Sequence, residues 1–381
     1  MYKLKFTLKQ HTPLIHFQQD QEGATLRASE VKPKLDKFLR ETLKQIRPEL
    51  FVKYENLIAL LPDSQKQENV PSPYSVAIQP VEDEFVEEFV IASLIPKSMV
   101  FEYEKKYTVL DKTPYFADNK PIKEGNLNEA KLGLKLKEGH YLIVYFKFRD
   151  TKWHELLKDA LPLFFVSTNF GSRQSKGFGC FLPINTTQKE FENLLMMCFP
   201  IVFRSSQVKE LKNKFFEIDS IYKNLKSGDR NNDSELRKYF NEFRPIIEWE
   251  KPAIQEKVAE ISGSNLSIKS KTQNRQFVRA LLGLAELYEY PKQDGIKAQV
   301  KNDTIARYGS PILFKILGDH VYLVASEQDY AKEILNKPFN FEFTHRGRKY
   351  GEKLSLMTPK EFDLVDFLQN AMKTQKKWNK I

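Results

Sequence analysis

The densest chemistry in the chain lies in one short segment: Phe170, Gly171, Ser172, Arg173, Gln174, Ser175, Lys176, Gly177, Phe178 and Gly179. Glycines let a backbone approach a ligand closely and adopt positive φ. Successive exposed N–H groups then form a nest for an anion. Arg173 and Lys176 add the charge that phosphate oxygens attract, with the hydroxyls of Ser172 and Ser175 beside them. Phe178 suits either a stack on a base or an anchor in a core. The segment is not a dinucleotide fingerprint, because G-x-G-x-x-G is absent and a strand is expected where a helix should follow. Nor does it fit the P-loop pattern. The competing reading is a hairpin-like turn with solvated charges, and composition alone leaves the two balanced.

A second cluster of cations opens the first expected helix, with Arg27, Ser29 and Lys32 in close succession. A helix N-terminus flanked by cations suits a phosphate, while a capped helix with a solvated face is the plainer alternative. A third stretch, Arg307-Tyr308-Gly309-Ser310-Pro311, leads into an apolar run. Here Ser310-Pro311 reads as structural and Arg307 as the residue for a polyanion.

Catalytic patterns are scarce. The histidines are His11, His16, His140, His154, His320 and His345, and no H-E-x-x-H or G-x-S-x-G occurs. Cys180 and Cys198 form no C-x-x-C pair. No metal or other cofactor is therefore expected. His16 follows the first strand and is the histidine best placed for general acid–base chemistry.

The elements that must position these residues are mixed. Tyr2, Leu4, Phe6 and Leu8 alternate with Lys3, Lys5, Thr7 and Lys9, which predicts a half-buried strand. A helix is expected over 30–44, then strands over 85–94, 100–109 and 141–148, and a helix over 153–166 interrupted near Pro162. Beyond residue 188 the spacing turns helical, over 191–197, 208–225, 234–243 and 276–288. Strands over 312–316, 321–324 and 339–343 and a helix over 359–372 finish the chain. Strands and helices so interspersed predict an α+β fold rather than a doubly wound parallel sheet. A boundary near residue 190 would divide the chain into two domains, 1–190 and 191–381.

The chain has 60 basic and 50 acidic residues among 381, a net charge of +10 that favours a polyanionic partner. Its 29 Phe and 16 Tyr argue for sizeable cores. No apolar run is long enough for a signal peptide or a membrane span, so a cytoplasmic location is expected.

The glycine segment resembles the glycine-rich loop of the RAMP superfamily of CRISPR-associated proteins: a glycine, a short basic run, then Gly-Phe-Gly before a strand. Within that superfamily it looks most like the first subunit of the type III-B (Cmr) effector complexes. The run from Phe6 through Thr12-Pro13-Leu14 resembles the family's opening strand, and Arg27, Ser29 and Lys32 match the opening of its first helix. Pro33 stands where a glycine is usual, and the loop from His16 to Gly23 lacks the family's paired glycines. The stretch around Arg307 and Ser310-Pro311 resembles a pattern in the C-terminal half of these subunits.

The resemblance implies two ferredoxin-like (RRM-like) modules with a helical insertion in the C-terminal half. It implies an RNA-binding subunit of an antiviral ribonucleoprotein. The partners would be CRISPR RNA, target RNA and the other type III effector subunits. Arg27, Ser29, Lys32, Gly171, Arg173, Ser175, Lys176, Gly177, Phe178, Gly179 and Arg307 would touch RNA. The runner-up is a CRISPR-RNA-processing endoribonuclease of the same superfamily using His16. Target cleavage by Asp20 and a basic scaffold that binds only proteins are the remaining readings.

Overall fold

The polar–apolar alternation at the N-terminus becomes a strand, Tyr2–Gln10, in the computed structural model. The structure describes residues 1–15, 26–62, 72–80, 86–91, 108–110, 133–229, 231–264, 272–290, 293, 295–305, 308–325 and 333–381. His16, Asp20 and Arg307 lie outside them.

The chain divides into two units. The first comprises Met1–Ile218, Leu313–Val324 and Asn379–Ile381, and the second Asp219–Ile312 and Ala325–Trp378. In the first unit a four-stranded sheet runs in the order Tyr74–Pro80, Leu142–Phe148, Tyr2–Gln10, Phe181–Pro183. All its pairings are antiparallel. Leu8, Val144, Phe146 and Phe148 point to one face and are buried. Helices Ala28–Lys37 and Lys152–Ser167 supply Val31, Leu35, Trp153, Leu156, Leu161 and Phe164 to the same core. Phe6 stacks on Phe165 with ring centroids 5.7 Å apart, which places the strand's apolar side inward. A second four-stranded sheet orders Ile312–Leu317, His320–Ala325, Ile201–Ser205 and Trp378–Lys380.

The second unit holds a four-stranded antiparallel sheet, Leu287–Tyr290, Ile296–Lys301, Pro338–His345 and Arg348–Met357. Its helices include Glu235–Asn241, Lys251–Ser262 and Leu364–Met372. An aromatic cluster of Tyr239, Phe240, Phe243, Phe362 and Phe367 joins the first and last of these. Antiparallel sheets mixed with helices make the protein α+β, as expected.

Three local expectations change. Pro162 does not interrupt its helix, which runs unbroken from Lys152 to Ser167. A proline removes the hydrogen bond to the carbonyl four residues back. That carbonyl belongs to the exposed Lys158, while buried residues on the other face hold the helix. The helix expected over 30–44 stops at Lys37 and continues as a π-turn, Phe38–Thr42, before Leu43–Ile46. The helix expected over 276–288 is instead a bridge at Arg275–Gln276, a 3-10 turn Val278–Leu282 and the strand Leu287–Tyr290. Val278, Ala280, Leu281 and Leu282 are all buried, so apolar residues surround that stretch on nearly every side and its apparent helical spacing misleads.

Candidate nucleic-acid interface

The glycine segment forms a locked turn. Gly171 donates its N–H to Glu30 Oε1. Ser172 donates to the Ile15 carbonyl at 2.8 Å, Gly179 to that of Pro13 at 2.8 Å, and Lys176 to that of Arg173 at 2.8 Å. Gly177 donates to the Gln174 carbonyl at 3.4 Å. The nest of N–H donors expected for a phosphate is therefore largely spent on the fold. The glycines are needed for close packing at positive φ. A Cβ on Gly179 (φ 67°) would sit 1.9 Å from the Phe170 carbonyl oxygen, and one on Gly171 (φ 74°) 2.4 Å from that of Ile15. Arg173 adopts φ 58°, unusual for a residue with a side chain, and marks the turn's apex.

Phe178 takes the core role, not the stacking role. It is fully buried and stacks on Phe215 at 4.3 Å with an interplanar angle of 24°. The Lys176 ammonium is also buried. Ser175 accepts the Phe314 N–H through its carbonyl at 3.2 Å. Among the expected loop residues, Arg173 is the cation left at the surface, half-buried.

Four residues not singled out from sequence hold this turn. Lys34 Nζ donates to the Asn169 carbonyl at 3.0 Å and to Gln174 Oε1 at 2.7 Å. Glu30 and Lys34 are themselves paired at 3.4 Å. Asn169 Nδ2 donates to the carbonyls of Gln174 at 2.7 Å and Phe314 at 2.9 Å. Lys315, with no exposed surface, donates to Asn169 Oδ1 at 2.8 Å and to the carbonyls of Phe165 and Thr168, each at 2.9 Å. An ammonium has three donors, and here each meets an oxygen. Burial lowers the Lys315 and Lys34 pKa values from the ordinary lysine value. A signal for Lys315 was present: it is the lone charge in the apolar strand Ile312–Leu317.

The first helix has two polar sides. Glu30 and Lys34, one turn apart, face the glycine turn. Lys32 lies on roughly the opposite side, at about 100° per residue. Its ammonium pairs with Asp36 at 2.6 Å and lies 4.9 Å from the Tyr74 ring centroid. Tyr74 donates its hydroxyl to the same carboxylate. Arg27 is the N-cap residue, with its carbonyl accepting the Val31 N–H at 3.1 Å, and is half-buried. Ser29 and Lys32 are thus not brought to the glycine turn.

They border a different groove of about 800 Å³. Its walls include Ser29, Lys32, Tyr74, Lys147 and Arg149, and no carboxylate among the described residues. Lys147 and Arg149 are exposed and have no acidic partner among the described residues. Burial, with Lys9 and Lys315 nearby, lowers the His11 pKa to about 3, so His11 is neutral at physiological pH and a weak proton acceptor. Among the described residues no group of His, Cys, Asp and Glu could hold a metal ion, and no helix is long and apolar enough to cross a membrane.

Fold and site together define a basic α+β protein whose glycine-rich turn is bolted to its first helix and whose exposed cations lie elsewhere. Family models described as the Cmr1 N-terminal domain and the Cmr1 C-terminal domain match residues 1–229 and 231–380, and the chain belongs to the Cmr1 family. The resemblance read from the glycine segment and first helix is borne out. A similar solved structure is the apo form of Cmr1 from Pyrococcus furiosus, at 10% identity and a TM-score of 0.45. That match covers 100% of this chain and 98% of the other. Comparison with curated proteins gives no match.

Proposed function

We propose that this chain is a non-catalytic RNA-binding subunit of a type III-B CRISPR effector ribonucleoprotein, acting in the cytoplasm beside the complex's other subunits. Membership of the Cmr1 family supports the effector role. The finer architecture in this reading is two ferredoxin-like modules, with a boundary near residue 190 and a helical insertion in the second half.

The observation that carries the RNA reading is the groove where Lys147 and Arg149 stand exposed with no acidic partner among the described residues, beside Ser29 and the Asp36-paired Lys32. Cations so placed neutralise phosphates of the CRISPR RNA, or of its duplex with target RNA. Arg173 adds a contact from the glycine turn. Phosphate contacts position the strand and carry no sequence information, which guide–target pairing supplies.

Titration of the purified protein against labelled single-stranded RNA at two salt concentrations, with the RNA watched for cleavage, tests this. Binding that weakens with salt, by a log–log slope of about −0.7 per neutralised phosphate, and no cleavage is expected. Site-specific cleavage abolished by His16→Ala would establish the endoribonuclease instead.

A further inference from the structure

The first sheet has a second face that the groove does not explain. Opposite the core side, the paired strands Tyr2–Gln10, Leu142–Phe148 and Tyr74–Pro80 turn out Lys3, Lys5, Thr7 and Lys9; Ile143, Tyr145 and Lys147; and Ser75, Ala77 and Gln79. Those outward positions include four lysines and no acid. Lys9 is drawn towards Glu138 at 3.7 Å, but Lys3, Lys5 and Lys147 have no acidic partner among the described residues. Lys3, Lys5 and Lys147 are exposed, whereas Thr7 and Lys9 are half-buried. At the far end Lys9 pairs with Leu182, which is buried in a second core. The face is therefore open at one end and closed at the other.

At the open end stands one aromatic ring, Tyr145, half-buried. Lys5 and Ala77 flank it across the sheet, one a cation and the other small. Lys3 Nζ lies 3.8 Å from the ring centroid. Lys147 both flanks Tyr145 on this face and lines the groove, so the two basic surfaces are continuous.

We propose that this face binds an unpaired stretch of RNA, with one base stacked on Tyr145 and phosphates on Lys3, Lys5 and Lys147. The proposal rests on the reading that the protein's polyanion is RNA, and it adds that the strand is single. A duplex keeps its bases stacked inside and could use only the lysines. A splayed base uses the ring as well. Lys3 leaves the ring when the base arrives and takes a phosphate, because an exposed cation–π contact is weaker than base–aromatic stacking. The small Ala77 leaves one flank of the ring uncrowded.

The test uses the full chain and two probes, a labelled oligouridine and a blunt RNA duplex of matched length, with thermal melts confirming that each variant folds. Tyr145→Ala should weaken oligouridine binding about tenfold and leave duplex binding within about twofold. Tyr145→Trp should restore or tighten oligouridine binding, a rescue that a purely structural tyrosine would not show. Equal losses for both probes, or no loss for either, would overturn the stacking proposal while leaving RNA binding intact. A wild-type protein that bound neither probe would overturn the RNA reading itself, and this proposal with it. If oligouridine binding were unaffected while a neighbouring acidic protein subunit bound the face, the face would be a protein contact and the proposal wrong.

Discussion

The glycine turn and the outer face of the first sheet hold similar charges and use them differently. Around the turn, Lys34, Lys176 and Lys315 are drawn inward, and six backbone N–H groups of the segment are spent on the fold. On the sheet face, Lys3, Lys5 and Lys147 stand exposed with no acidic partner among the described residues. Buried charge must be matched by local oxygens, so it serves the fold, whereas exposed charge without a counterion is available to a ligand. A basic segment is thus not a binding segment until its hydrogen bonds are counted.

The largest expected effect falls on the turn. Gly179→Ala forces a Cβ within 1.9 Å of a backbone oxygen and should cost on the order of 4 kcal/mol in denaturant unfolding, or prevent folding. Gly139, also at positive φ but with nothing within 4 Å of the point an added Cβ would occupy, is the control: Gly139→Ala should cost about 1 kcal/mol. Equal costs would show that the turn is not tightly packed. Next, Asn169→Ala strips Lys315 of one oxygen and takes a donor from the carbonyls of Gln174 and Phe314. A loss of about 3 kcal/mol is expected, read from the shift in urea midpoint.

The sheet face should behave the other way. Lys3→Glu with Lys147→Glu should lower RNA affinity tenfold or more and change stability by no more than about 0.5 kcal/mol. A stability loss comparable to that of Asn169→Ala would erase the contrast between the regions. Arg173→Ala should have a smaller effect on binding, flattening the log–log salt slope by about 0.7.

The smallest effect concerns pH. His11 has its pKa lowered from 6.5 to about 3, so in this window the unfolded chain takes up a proton that the folded chain refuses. Stability should fall as pH drops from about 6.5 towards 3, and His11→Gln should fall less steeply over that range in urea titrations at several pH values.

Much of the scaffold is legible in the sequence. The alternation from Tyr2 to Lys9 sets both faces of the first strand, and the apolar period over 153–166 marks the long helix. The glycine segment is legible as a special backbone, because three glycines in so short a span imply close approach. What they approach is not legible: Phe170, Ile15 and Pro13 lie far apart in sequence or depend on the path of the chain. The two sides of the first helix are also hidden. Lys32 and Lys34 differ by two positions, but one faces a groove and the other the turn. The strand Ile201–Ser205 escapes a sequence reading because its pairing is set by partners more than a hundred residues away. Tyr145 does not stand out either, because a single tyrosine in an apolar strand gains meaning only when its cross-strand neighbours are known.

The most direct measurement is a salt titration of single-stranded RNA binding by fluorescence anisotropy, comparing wild type with two double variants, Lys3→Glu/Lys147→Glu and Arg173→Ala/Lys176→Ala. Steep salt dependence in the wild type, a loss of at least tenfold in the first variant and a change of only a few-fold in the second are expected. The reverse order, with binding abolished by the turn variant and untouched by the face variant, would return the RNA to the glycine turn and contradict the account.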